Sequence, residues 1–437
     1  MKKLSIILLL MSQQTLAQSS WTIQQCMQYA VEHNHEVRQS ELELDNKWAT
    51  KLGAIGSFLP SVSASTGAQY SFGRAIDPET NTYTNVSTFY NGYQVNASMP
   101  VFDGFNRLHA LRAAKASVLM GQSELRRQQD ETALAVLQAY TNALYYQGTV
   151  AMAEEKVEET TLLLRQTRLL EEVGRKSAAD VAQVESQQAE AEYNLIRQQN
   201  LYSTALLELK KEMAWPLDKN LEIARDFHDD NLVTIGSDNH DYFVSDNHSA
   251  LEVVRYHTDI ARHEWHQAQS NLYPTISLNL GMNTTYYKTL HSPTVASFSS
   301  QFHGNRGEYI GATLSIPIFN RLQTITGIRR AKNNYRIAQE AYEQKRLELE
   351  KLSREAWQDW HAYRTQTTQM VHKVEADSIA YQLTKRQFEE GLSTAIDLHT
   401  TSAQLLNSKA TLLQCHLMAM VKEQLVRYYK GETIWTE

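Results

Sequence analysis

The sequence predicts a mainly α-helical chain with a membrane β-barrel portion, organised as an internal two-fold repeat. Three observations predict this class. Two long stretches, 103–172 and 320–389, contain no proline. Four short runs alternate apolar with small polar side chains. The pieces recur in the same order 217 residues apart.

The duplication is visible residue by residue. Ser98-Met99-Pro100-Val101-Phe102-Asp103 matches Ser315-Ile316-Pro317-Ile318-Phe319-Asn320 at a spacing of 217, and Gly174/Gly391 and Asp180/Asp397 keep the same spacing. Leu59-Pro60 and Tyr273-Pro274 match at 214, which places one small insertion or deletion between them. A period this long marks a duplicated half rather than a solenoid.

Taken in order, the chain begins with the pattern of a signal peptide over residues 1–17. Lys2 and Lys3 precede a short apolar run from Leu4 to Met11, and Thr15-Leu16-Ala17 offers a cleavage point before Gln18. No run beyond it is apolar for the ~18 residues a spanning helix requires. An exported chain of this kind is either soluble or inserted as strands. The net charge of −7 argues against nucleic acid as a partner.

Helical segments at about 24–56 and 249–271 lead into the strand pairs. Pro60 and Pro274 open the alternating runs, and Pro100 and Pro317 close them. In the first half Val62, Ala64, Thr66, Ala68, Tyr70 and Phe72 share one face against Ser63, Ser65, Gly67, Gln69, Ser71 and Gly73. Tyr93, Val95, Ala97 and Met99 alternate with Gln94, Asn96 and Ser98. The second half repeats the pattern with Ile276, Leu278, Leu280 and Met282, then with Ile310, Ala312, Leu314 and Ile316. Runs of roughly 10 residues suit tilted strands that cross a bilayer. An apolar face meets lipid and a small polar face lines a wet lumen. Tyr70, Phe72, Phe102, Tyr286, Tyr287 and Phe319 fall near strand ends, where interfacial aromatics belong. A soluble sandwich with one wet face shares the same period.

Four strands cannot close a barrel, because barrels begin at about eight. Open edges are not tolerated in lipid. Several chains must therefore share one barrel: two copies would give eight strands, and three would give twelve.

The proline-free stretches read as long helices. In the first, Leu111, Val118 and Leu125 recur every seven residues, with Leu134, Leu137 and Leu144 following at coiled-coil spacing. At 1.5 Å per residue such a helix runs roughly 105 Å. Return helices follow at about 178–214 and 394–430. Residues 216–248, with Asp226 to Asp230 and the run from Gly236 to His248, read as a looped connector. The predicted organisation is 1–17 signal peptide, 18–215 first repeat, 216–248 connector and 249–437 second repeat.

These pieces together resemble the outer membrane factor family, the TolC-like outer-membrane efflux proteins. The resemblance is carried by Phe58-Leu59-Pro60 and Leu272-Tyr273-Pro274, by Met99 to Gly104 and Ile316 to Asn320, and by the turn from Phe388 to Leu398. It implies a homotrimer with a twelve-stranded barrel in outer-membrane lipid and a helical tunnel in the periplasm. It also implies a periplasmic adaptor and an inner-membrane pump of the RND or ABC type, in a tripartite efflux or type I secretion system. The duct itself would be passive and use no cofactor. By the same resemblance, Gly391, Leu392, Ser393 and Thr394 would meet the adaptor. Gly174 and Ser177 would do so in the first half, where Arg175 stands in the place of Leu392. Asp397 corresponds to a position whose carboxylates ring the narrow end. The second acidic position is missing, with Thr400 and Gln183 in its place.

Asp180 and Asp397 repeated about an axis would concentrate negative potential at a mouth. Each also suits a helix N-terminus, where Asp is preferred; Asp180 reads first as a cap, while for Asp397 both roles stand.

No catalytic constellation or metal pattern emerges. His263-Glu264-Trp265-His266 spaces its histidines three apart, unlike a zinc helix, and His228, His240, His248, His257, His263 and His266 read as solvated rather than as metal contacts. Trp357 and Trp360 read as packing residues. Cys26 and Cys415 read as two buried free thiols, with pairing open to an exported chain. The other architecture considered is a periplasmic coiled-coil adaptor or scaffold without a barrel. Adaptors carry one helical hairpin and a lipoyl-like region, whereas this chain has two hairpins and no such region.

Overall fold

The structure, a computed structural model, describes residues 20–76, 81–85, 87–224, 245–290 and 296–435. The expected signal peptide, Pro78, Pro293 and most of the connector, including His228 and His240, lie outside the described residues.

The duplication holds in three dimensions. Helix α3 (Asn106–Glu172) and helix α7 (Gln323–Glu389) are each 67 residues long, and their returns α4 (Ala178–Glu212) and α8 (Ala395–Tyr429) are each 35. Apolar residues at heptad spacing, with no proline to interrupt the hydrogen-bond ladder, account for that length.

The chain divides into two compact units, each drawn from both halves: Met1–Glu41, Glu124–Ala250 and Arg346–Glu437 in one, Leu42–Ser123 and Leu251–Lys345 in the other. The first is helical. Its main core packs Cys26, Val136, Leu137, Leu209 and Met213 with Leu417 of α8, all nearly inaccessible. Burying each large side chain contributes roughly 1.5–3 kcal/mol. Trp21 forms an isolated parallel bridge with Ile223, and the Tyr140 hydroxyl donates to Trp21 O at 2.9 Å.

The sequence predicts one helix over 24–56, but the structure breaks it into α1 (Ile23–His33) and α2 (His35–Gly56). Asn34 sits between them in an extended conformation. Its Oδ1 accepts the Glu36 N–H at 2.7 Å, and its Nδ2 donates to Glu212 O at 3.0 Å. A side chain that satisfies backbone groups on two segments favours the break over a continued helix.

The second unit holds the antiparallel sheet. Strands β1 (Ser61–Ser71), β4 (Thr88–Phe102), β5 (Thr275–Thr289) and β6 (Gly307–Ser315) lie in that order. A short hairpin of β2 (Arg74–Ile76) and β3 (Tyr83–Asn85) lies between β1 and β4 in sequence. Helix α6 (Phe298–Gly304) lies between β5 and β6. Neither the hairpin nor α6 is foreseen from the sequence. β4 and β5, at 15 residues each, outrun the alternating stretches. Helix α5 (Ser249–Ser270) leads into β5.

The register sorts the faces as the alternation predicts. Val62 pairs with Ala97, Ala97 with Leu280, and Leu280 with Ile310, so one face is apolar across all four strands. On the other face amides and hydroxyls join strand to strand. Gln94 donates to Ser65 Oγ at 2.8 Å, Ser98 to Asn279 Oδ1 at 2.9 Å, and Tyr309 to Asn96 Oδ1 at 3.2 Å.

Candidate functional site

Two regions of the chain have the geometry for function: the helix-to-helix turns and the sheet with its outer edges.

The turns are near copies. After α3, Gly174 at φ +73° lets the backbone reverse, its N–H donating to Glu171 O at 2.8 Å and that of Arg175 to Leu170 O at 2.8 Å. After α7, Gly391 at φ +79° does the same, with its N–H bonded to Phe388 O at 3.1 Å and that of Leu392 to Gln387 O at 2.7 Å. A positive φ costs glycine nothing and strains other residues.

Each return helix then opens on a capping box. Ser177 is the N-cap of α4: its Oγ accepts the Asp180 N–H at 3.2 Å, and the Asp180 carboxylate accepts the Ser177 N–H at 3.0 Å. Thr394 caps α8 in the same way, with Asp397 N–H to Oγ1 at 3.2 Å and Thr394 N–H to the Asp397 carboxylate at 3.1 Å. The two aspartates thus stand three residues inside the cap and work with it, rather than occupying the cap position as their residue type alone suggests. The Ser177 backbone N–H, then its hydroxyl, hold the Asp180 carboxyl below the usual carboxylate range. The Thr394 hydroxyl and then its N–H do so for Asp397. Both groups are therefore charged at neutral pH.

The structure brings the two turns together. Leu163, Leu164, Val184, Phe388, Ala395 and Leu398 form one apolar cluster beneath them. Gln187 of α4 donates to Ala395 O at 3.1 Å. The Lys176 ammonium lies 3.8 Å from the centre of the Phe388 ring, a cation–π contact. Sequence reasoning did not single out Lys176 or Gln187, and it took Phe388 only as the start of a turn, because their partners are remote in sequence. Leu392 is 76% exposed, an apolar side chain projecting from the turn, while Ser393 is half-buried and reaches the Asp397 carboxylate at 3.4 Å.

In the sheet, every residue of β1 is exposed in the single chain, and Val62 and Ile310 are 68% and 71% accessible. β1 and β6 stand at the two ends of the strand order, each hydrogen-bonded to a described strand on one side. Apolar surface on this scale calls for lipid or another chain. Among the described residues no helix is long and apolar enough to cross a membrane.

Residues 26–214 and 244–424 match the family of outer membrane efflux proteins. The chain belongs to that family. The two matched stretches fall one in each half of the duplication. This outer membrane efflux protein is a channel protein of the outer membrane with a periplasmic helical extension, and not an enzyme. No curated protein matches it by sequence. Solved structures match it in fold: VceC of Vibrio cholerae at 14% identity and TM-score 0.80, over 94% of this chain and 96% of that one. CusC matches at 15% and 0.82, over 94% and 92%. CmeC of Campylobacter jejuni matches at 14% and 0.77, over 95% and 87%.

Proposed function

We propose that three copies of this efflux protein form one passive exit duct, serving a tripartite efflux or type I secretion system with a periplasmic adaptor and an inner-membrane pump. The supporting observation is the four-stranded sheet with an apolar face and two outer edges on β1 and β6. Such edges must be paired inside a bilayer, and copies of the chain can pair them. Three contribute twelve strands, within the known range of barrel sizes. A soluble adaptor or scaffold would leave that apolar face without purpose. The repeats 18–215 and 249–437 each supply one strand pair and one helical hairpin, joined by 216–248.

The paired turns are the docking tip. Gly174, Ser177, Gly391, Leu392, Ser393 and Thr394 present a capped, rigid backbone with the exposed Leu392 as an apolar anchor. Asp180 and Asp397 repeated around the axis set a negative potential at the mouth, which favours cations. A photo-crosslinking residue at position 392 tests the docking. It should capture one periplasmic adaptor in living cells, whereas a crosslinker at an exposed position far from the turn, such as Leu347 on α7, should not. Equal capture at both positions would remove the tip from the docking role.

A further inference from the structure

Three histidines meet where α3 packs on α5. The ring of His109 lies 5.3 Å from that of His266, inclined by 29°, and 6.2 Å from that of His263, inclined by 31°. The Nδ1 atoms of His109 and His263 are buried without a hydrogen-bond partner, while that of His266 pairs with Gln269 Oε1 at 3.1 Å. We propose that this cluster is an acid-sensitive joint, which holds α3 against α5 while its imidazoles are neutral and loosens that contact when they take up protons.

The surroundings favour the neutral form. On α3, Arg112 faces His109 and His263. On α5, Arg262 faces His263 and is itself paired with Asp259 at 3.1 Å, the carboxylate nearest in effect to the cluster. From α7, Lys332 sits over the Trp265 ring, and that ring stacks on His266 at 5.2 Å. Charge brought to the cluster therefore meets two guanidiniums and one carboxylate that is already engaged. Burial first, then His266 and Arg112, hold His109 below the ordinary value of 6.5. Burial first, then Arg262, His109 and Arg112, do so for His263 against the pull of Asp259.

The sign follows from linkage. Below about 6.5 an unfolded histidine takes up a proton that these folded ones resist, so the contact is fully stable above that pH and loses stability as pH falls through and below it. Little slack exists to absorb the change. Asn106 and Gln267 bond across the same helix pair at 3.1 Å. A Cβ on Gly104 would stand 2.6 Å from Ser270 O, so the backbones are in close approach just beyond. Among the described residues no cluster of His, Cys, Asp or Glu is arranged to hold a metal ion, and proton uptake is the chemistry these rings offer.

The test is amide hydrogen exchange, read by mass spectrometry on the full-length protein in detergent at about pH 8 and about pH 5.5 and corrected for intrinsic rates. Peptides covering 106–120 and 256–270 should lose protection severalfold at the lower pH, while peptides covering the helix turns change little. In His109→Gln the pH dependence of those peptides should shrink, and in the double variant His109→Gln/His263→Gln it should vanish. Should either variant fail to fold, exchange at the histidine C2 position of the unaltered protein reports each imidazole separately. His109 and His263 titrating at or above 6.5 would overturn the joint, as would equal protection at both pH values. Protection restored at the higher pH only by added zinc would assign the cluster to a metal and overturn it equally.

Discussion

The side-chain amide of Gln301 brackets the backbone of Tyr287, its Oε1 accepting the Tyr287 N–H at 2.9 Å and its Nε2 donating to Tyr287 O at 2.9 Å. It stands where a strand would. β6 pairs with β5 only as far as Asn283, while β5 continues to Thr289. Asn305 completes the cover by donating to Thr285 O at 2.8 Å. Gln301→Ala uncovers one donor and one acceptor, a loss of about 1–3 kcal/mol if both stay dry. Thermal unfolding of the purified protein should drop accordingly. An unchanged midpoint would mean that water replaces the amide at no cost.

Arg107 anchors the first strand-to-helix junction. Its Nε meets the Asp103 carboxylate at 2.8 Å, and its other nitrogens donate to Pro100 O at 2.6 Å and Ser57 O at 3.1 Å. In the second half Asn320 and Thr324 occupy the equivalent positions as a neutral pair. Arg107→Ala strands a mostly buried carboxylate and two carbonyls, at a cost of about 2–4 kcal/mol. Thr324→Ala should cost under about 1 kcal/mol. Urea unfolding of the two variants compares them directly, and equal costs would contradict the asymmetry.

Asp397 can be divided between its two roles. Asn at this position can still accept from Thr394, so Asp397→Asn keeps much of the cap while removing the charge. If the carboxylates set the potential at the mouth, the cation preference of single channels in planar bilayers should fall with little change in melting temperature. An unaltered preference would leave Asp397 as a cap only. Because its carboxyl is held low by Thr394, its stabilising effect is complete above 3.8 and fades as pH falls through the lower folded value.

Much of this protein is written locally and is legible in its sequence. Period-two runs bounded by Pro60, Pro100, Pro274 and Pro317 locate the sheet, and Gly174 and Gly391 locate the turns. What escapes is what long-range partners decide. Asn34 breaks a helix because Glu212 O waits for its amide. Helix α6 exists to cover an edge that only the folded sheet possesses. The serine and threonine caps were readable in Ser177-x-x-Asp180 and Thr394-x-x-Asp397, yet residue preference alone pointed to the aspartates. Phe388, 1% exposed, becomes part of the apolar cluster beneath the two turns only when four helices converge on it.

The two thiols give a simple check on the helical core. Cys26 and Cys415 are free and buried, and burial pushes the Cys26 thiol up to about 12. A thiol held neutral and covered does not react. A maleimide should label neither in the native protein and both after denaturation. Rapid native labelling of Cys26 would contradict the packing of α1.

The central claim is that strand edges left open in one chain are closed by its copies. Native mass spectrometry of the detergent-extracted protein measures this most directly. The account predicts a complex of three chains that persists until the sheet unfolds. A stable, folded single chain extracted from the outer membrane would contradict it.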